Sequence, residues 1–302
     1  MPDKALTNTK GGLPMTEMKL TANRTQKARI FEMIFSDKNE LLSLYNAVNN
    51  TDYTDPGQLT VNTLKNAIYM SMHNDVSFLI DSRLSLYEHQ STYNPNLPLR
   101  YLFYVSDLYS FITKDANLYG SKLIRIPAPK FIVFYNGKEP CPERQELRLS
   151  TAFNIRDEEP SLELQAALLN INPGFNEPLK KACKTLNDYS EYTSRLRLYA
   201  ETMKTEDAVE RAINECIKEG ILADFLIRNK AEAKKMSIYE YDEEKHMRQT
   251  RQEGFDEGEI SGSIKAYQSL SVPKETVQEK IIQLFSLSTE QAQIMMQKYW
   301  TE

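Results

Sequence analysis

Two carboxylates in the stretch HNDVSFLIDSRLSLYEHQST, residues 73–92, are spaced so that a folded chain could bring them onto one metal ion. With Asp81 and Ser82 at the tip of a hairpin, Ile80 faces Arg83, and pairing outward from there sets Asp75 opposite Glu88. A four-residue loop centred on the same point keeps that pairing, so it does not depend on the turn type. Strand side chains alternate between faces, which puts Gln90 on the side of Glu88, and directly opposed Cβ atoms lie about 4.5–5.5 Å apart. Carboxylates held that close repel one another unless a cation neutralises them. A hard dication, Mg²⁺ or Mn²⁺, does so with one or two protein carboxylates and keeps its other positions for water and phosphate oxygens. The plainer alternative is a solvated hairpin bearing ordinary surface carboxylates.

The neighbours have simpler readings. Asp81 suits a turn through hydrogen bonds to its own backbone. His89 points away from Glu88, and a lone imidazole is more often a packing or hydrogen-bonding group than a base. Arg100 and Tyr104 stand one turn apart on the next predicted helix and so can face one cleft, the guanidinium as a fork toward phosphate and the hydroxyl as a donor. An arginine–aromatic surface stack accounts for the same spacing equally well. Glu32 on the first helix is a further acidic candidate, although a helix glutamate is more often simply exposed. Lys122, Arg125 and Lys130 add positive charge near the predicted sheet, and charge runs are usually solvated faces.

The elements that must position these groups are read from periodicity. Apolar residues recur at helical spacing from Gln26 to Asn49, with Ser36 and Asp37 as a break and fresh N-cap, giving one long or two short helices. Three extended pieces follow, roughly Leu64–Met72, Asp75–Ile80 and Leu84–Gln90, the last two alternating apolar and polar. Leu97–Ile112 returns to helical period, and PKFIVFYNG (Pro129–Gly137) reads as a buried strand closed by Asn-Gly. Leu162–Ile171 is a candidate last strand. Helical periodicity governs Glu177 to about Met236 with a break at Gly220, then a polar helix from Tyr239 to Ile264 and two short helices ending at Trp300. That order indicates an α/β or α+β fold.

Asp75, then Glu88-His89-Gln90-Ser91 thirteen residues on, then the Arg100-x3-Tyr104 helix, resemble the recombination-promoting nuclease and transposase-like family of the PD-(D/E)XK nuclease superfamily. PKFIVFYNG, LRLSTAF (Leu147–Phe153), LNINPGFNEPL (Leu169–Leu179) and a helical C-terminal half with an EGFDEGEISG stretch look like the family's later segments, so the resemblance runs from about Arg24 to the C-terminus. It implies an α/β fold with a PD-(D/E)XK, restriction-endonuclease-like core: a mixed sheet flanked by helices over residues 24–172, after a flexible arm at 1–23 and before an all-helical region at 173–302. It further implies a Mg²⁺-dependent (or Mn²⁺-dependent) endonuclease acting on DNA, with Asp75 and Glu88 as metal ligands and Gln90 where most of the superfamily has lysine. Arg100 and Tyr104 would then contact DNA phosphate. The missing lysine and the acidic total favour a rival reading, a nuclease-fold protein that binds DNA or assembles without cleaving.

Composition sets the outer bounds. The chain has 302 residues, 41% hydrophobic and 26% charged, with Gly 10 and Pro 13, which excludes disordered and fibrous classes. Its net charge of −5 is uneven. Residues 1–150 carry 17 Lys and Arg against 15 Asp and Glu, and residues 151–302 carry 20 against 27, so nucleic-acid contact is expected in the first half. Three separated cysteines support neither a disulfide framework nor a CxxC zinc site and fit a reducing, cytoplasmic setting. No apolar run approaches the ~18 residues of a membrane helix. Gly254, Gly258 and Gly262 recur every four residues, implying either a close helix–helix approach, and with it a self-associating C-terminal region, or a marginally helical segment.

Overall fold

The computed structural model describes residues 30–61, 76–155 and 157–300. Asp75, the extended piece expected at Leu64–Met72 and the arm expected at 1–23 lie outside the described residues.

The first helical stretch divides where its sequence breaks. Helix α1 (Ile30–Phe35) ends before Asp37, whose carboxylate accepts the Asn39 amide and starts α2 (Lys38–Asn49); Asn50 in the left-handed region closes it. Six strands then form one mixed sheet: β1 (Thr60–Val61), β2 (Val76–Ile80), β3 (Arg83–Gln90), β4 (Ala128–Tyr135), β5 (Arg144–Arg148) and β6 (Gln165–Asn170), in the spatial order β1-β2-β3-β4-β6-β5. β1, β2 and β3 are antiparallel neighbours, helix α3 (Leu97–Ile112) carries the chain over to β4 parallel to β3, and β6 continues parallel with β5 antiparallel at the edge. The result is an α/β fold with a helical C-terminal region, α4 (Glu177–Ala182), α5 (Lys184–Tyr199), α6 (Thr205–Glu219), α7 (Ala223–Arg228), α8 (Lys230–Ser269), α9 (Lys274–Phe285) and α10 (Thr289–Tyr299).

The hairpin between β2 and β3 has the expected register. Val76 pairs with Tyr87 and Ile80 with Arg83, around a tip in which Asp81 (φ 44°) and Ser82 (φ 60°) are both left-handed. That is a type I′ turn, whose twist matches the strands it joins. Asp81 also accepts a hydrogen bond from the Tyr53 hydroxyl, which holds that phenol's pKa up.

Alternation along β3 and β4 sorts the core into two layers. Leu84 and Leu86 of β3, with Phe131, Val133 and Tyr135 of β4, pack under Tyr101, Tyr104 and Leu108 of α3. The opposite face, with Phe78, Tyr87, Ile132 and Phe134, packs against α1, α2 and α5 through Phe31, Leu41 and Tyr189. This second layer runs across residue 172: Tyr192, Ile213, Leu226 and Tyr241 belong to it, so α5, α6, α7 and the first half of α8 complete the sheet's cover. A separate small core of Ile260, Ile264, Val277, Ile281, Ala292 and Met296 joins the end of α8 to α9 and α10.

The sequence reading places a break before Tyr239, but α8 runs unbroken for 40 residues, because Ala233, Met236 and Tyr241 anchor its first half to the core on one continuous stripe. Gly254, Gly258 and Gly262 lie inside it, and an added Cβ at any of them meets nothing within 4 Å. Among the described residues, therefore, no helix packs against the stripe. Gly254→Ala and Gly258→Ala are each expected to stabilise the helix by up to about 1 kcal/mol. Thermal melts of the full chain by circular dichroism would show it; a lower melting temperature would mean that another molecule occupies the stripe. Among the described residues no helix is long and apolar enough to cross a membrane.

Candidate functional site

Strands β3 and β4 are parallel, and their carboxyl ends place Glu88 beside Val133 and Gln90 beside Tyr135. Ligands of open α/β sheets gather at such ends, because the loops that leave them diverge and open a crevice. Glu88 is only 3% exposed. Its Oε1 accepts a hydrogen bond from the Gln90 side-chain amide and lies 3.2 Å from Arg100 Nη2, which reaches back from the first turn of α3. A buried carboxylate is tolerated when a cation or several donors replace its lost hydration, and Arg100 with Gln90 supplies both.

The structure separates the pair that helical spacing put together. Arg100 is partly exposed and faces Glu88, whereas Tyr104 is buried against the sheet with its hydroxyl 3.3 Å from Ser77 Oγ. One turn of helix is too coarse to decide which side of α3 meets solvent. Tyr104 here joins α3 to β2 and does not share the opening with Arg100. Lys130 lies at the other end of β4, beside Ser85, where its ammonium donates to Asn49 Oδ1 at 2.6 Å and burial lowers its pKa. Glu32 is half-buried on α1, and Lys122 and Arg125 are exposed in the loop before β4.

On the opposite face of β3, His89 is a packing and hydrogen-bonding residue. It stacks on Phe31 at 5.6 Å, and its Nε2 lies 2.8 Å from Asn136 Oδ1 and 3.1 Å from the Tyr189 hydroxyl. Asn136 in turn binds Arg197 of α5, which donates to both its carbonyl and its side-chain oxygen. Arg197 then meets Glu244 of α8 at 3.2 Å. This chain of contacts ties β3, β4, α5 and α8 together, and sequence reading missed it. Asn136 was legible only as half of an Asn-Gly turn, while Arg197 and Glu244 stand on two helices with no spacing rule to relate them.

Between these helices and the strand ends lies a cavity of about 470 Å³, with Gln90 and Arg100 on one side and Tyr192, Arg197, Tyr241 and Glu244 on the other. Next to the lining residue Asn136 stands Gly137, where a Cβ would come within 2.2 Å of the Ser91 carbonyl oxygen and 2.4 Å of the Tyr135 hydroxyl. Tyr135 donates to the Glu139 carbonyl at 3.0 Å, and burial pushes its pKa up to about 12, so that hydroxyl keeps its proton across the physiological range. Gly137→Ala is expected to cost about 1–3 kcal/mol by forcing the two strand ends apart. A urea midpoint equal to that of the unsubstituted chain would show that the loop yields freely.

Comparison with protein-family models, with curated proteins and with solved structures finds no match to this chain. Assignment therefore rests on its own residues. For a hard cation these are a partial fit. Glu88 is one buried carboxylate in the right place, yet its Oε1 already faces a guanidinium, and among the described residues no group of three or more His, Cys, Asp or Glu stands ready to hold a metal. Asp75, the second carboxylate, lies outside the described residues.

Proposed function

We propose that the chain is a metal-dependent DNA endonuclease of the recombination-promoting, transposase-like type, built on a PD-(D/E)XK core, with Asp75 and Glu88 as the metal-holding pair. The observation that carries this reading is the buried Glu88 carboxylate at the parallel strand ends, held by Gln90 and Arg100, which themselves line a cavity. The hairpin register supports it, since pairing continued by one residue beyond Val76 and Tyr87 would set Asp75 against Glu88.

A bound Mg²⁺ or Mn²⁺ would supply an acidified water and neutralise charge on the scissile phosphate. The chain's own residues would do the rest. Gln90 would orient water through its amide, the carboxylates of Asp75 and Glu88 would hold the cation, and Arg100 would exchange part of its pairing with Glu88 for a phosphate oxygen.

The same Arg100–Glu88 contact favours one other reading. A guanidinium can neutralise Glu88 without metal, which suits a nuclease-fold protein that binds DNA or assembles without cutting it. Supercoiled plasmid incubated with purified protein, with and without Mg²⁺ or Mn²⁺, separates the two: nicking only with the metal supports the endonuclease, and retention of intact plasmid in both conditions supports the binding module.

A further inference from the structure

Cations gather at the end of the sheet away from Glu88. Alternate residues of a strand share a face, so Arg83 stands with Ser85 on β3, and the register sets Lys130 of β4 beside Ser85. Continued by one residue beyond Phe131 and Ala166, the β4–β6 pairing brings Lys130 level with Gln165, which pairs with Arg148 of β5. Arg144 shares the face of Arg148 further along β5. Helices cover this face over β3 and β4, but Arg83, Arg144, Arg148 and Gln165 are exposed.

The loop that delivers β4 adds to the charge. A groove of about 740 Å³ within it is lined by Asn117, Ser121, Lys122 and Arg125, with no carboxylate among its lining residues. Arg125 precedes Ala128, the strand partner of Arg83, by three residues, which keeps the two backbones within about 11 Å. The carboxylates nearby are engaged: Glu146 pairs with Arg148 at 3.2 Å, and Asp81 accepts from the Tyr53 hydroxyl. The side chains of Arg83, Lys122, Arg125 and Arg144 make no hydrogen bond or ion pair among the described residues. Lys130 feels the excess, its pKa lowered by burial and then by the charges of Arg83 and Arg144. Like charges held together without counter-ions repel, and a polyanion relieves them. Guanidiniums, the majority here, fork onto phosphate oxygens.

We infer that this end of the sheet is a second DNA surface, on which Arg83, Lys122, Arg125 and Lys130 hold a phosphate backbone about 17 Å along the strands from Glu88. The choice of DNA as the polyanion rests on the nuclease reading. The loop also exposes Leu118, Tyr119 and Leu123, side chains that suit a lipid surface, so anionic vesicles are tested beside DNA. The spread of cations from the loop onto the sheet face favours an extended row of phosphates.

The full chain without divalent metal is titrated with a labelled DNA duplex by fluorescence anisotropy across a range of salt, and with phosphatidylglycerol vesicles by co-sedimentation; the same proteins are then assayed for Mg²⁺-dependent nicking. The triple variant Arg83→Gln, Lys122→Gln, Arg125→Gln changes only exposed side chains. It should bind the duplex at least about tenfold more weakly at about 0.1 M salt, with a log–log salt slope about 2 units shallower, since each phosphate contact contributes about 0.9. Arg83→Lys, Lys122→Arg, Arg125→Lys keeps the charge and should restore the slope, which a merely structural role would not do. Equal affinity and slope for the unsubstituted chain and the triple variant overturn the surface, whatever the nicking assay shows. Capture by vesicles without duplex binding overturns DNA as the partner. Weakened duplex binding by the triple variant, with no nicking by any of the proteins, keeps the surface and overturns the nuclease reading.

Discussion

Asp75→Ala or Glu88→Ala is expected to lower Mg²⁺-dependent plasmid cleavage by at least about 100-fold, which corresponds to about 2.7 kcal/mol of lost transition-state stabilisation. The argument is electrostatic. A dication at phosphate needs protein carboxylates to hold it, and removing one of two leaves too little negative charge to bind it or to acidify water near neutral pH. Glu88 is buried and meets Arg100, so Glu88→Ala removes a charged contact and is expected to cost about 1–3 kcal/mol, whereas Glu88→Gln keeps the shape and should fold nearly as well while still failing to cleave. If the proposed nuclease reading holds, Gln90→Lys should retain or raise activity, because an ammonium at that position also supports charge at the phosphate. Cleavage unchanged by Asp75→Ala would assign the activity to a contaminant and leave the binding-module reading standing.

What the sequence disclosed about this site followed from short-range rules. Alternation fixed which residues of β3 share a face, and an Asp-Ser tip with both residues left-handed delivered the pairing of Val76 with Tyr87. The break at Asp37 and the strand from Ala128 to Tyr135 were equally local, the first a cap and the second a β-branched and aromatic run. β5 escaped notice because Arg144–Arg148 is an edge strand of mostly charged residues, whose polar side chains keep such an edge from pairing with other chains. Long-range partners were illegible in principle. Nothing in the period of α3 says that Arg100 turns to Glu88 while Tyr104 turns to Ser77, since both choices satisfy the same helix, and packing against β2 and β3 decides between them.

Arg197→Met is expected to destabilise the fold by about 3–5 kcal/mol, measured as the shift in urea unfolding. Arg197 is mostly buried and donates to the carbonyl and side-chain oxygens of Asn136 as well as to Glu244, so its loss strands a buried carboxylate and two strand-end acceptors together. The magnitude reflects what remains uncompensated and not the net worth of the pair. For that reason Arg197→Met combined with Glu244→Leu should recover most of the loss, because both charges are then gone and the apolar replacements fill similar volume. A double variant as unstable as Arg197→Met alone would show that the guanidinium acts mainly through Asn136. That outcome would make the contact between α5 and the end of β4, and through it the position of His89 on β3, the element that keeps Glu88 and Gln90 where a phosphate could meet them.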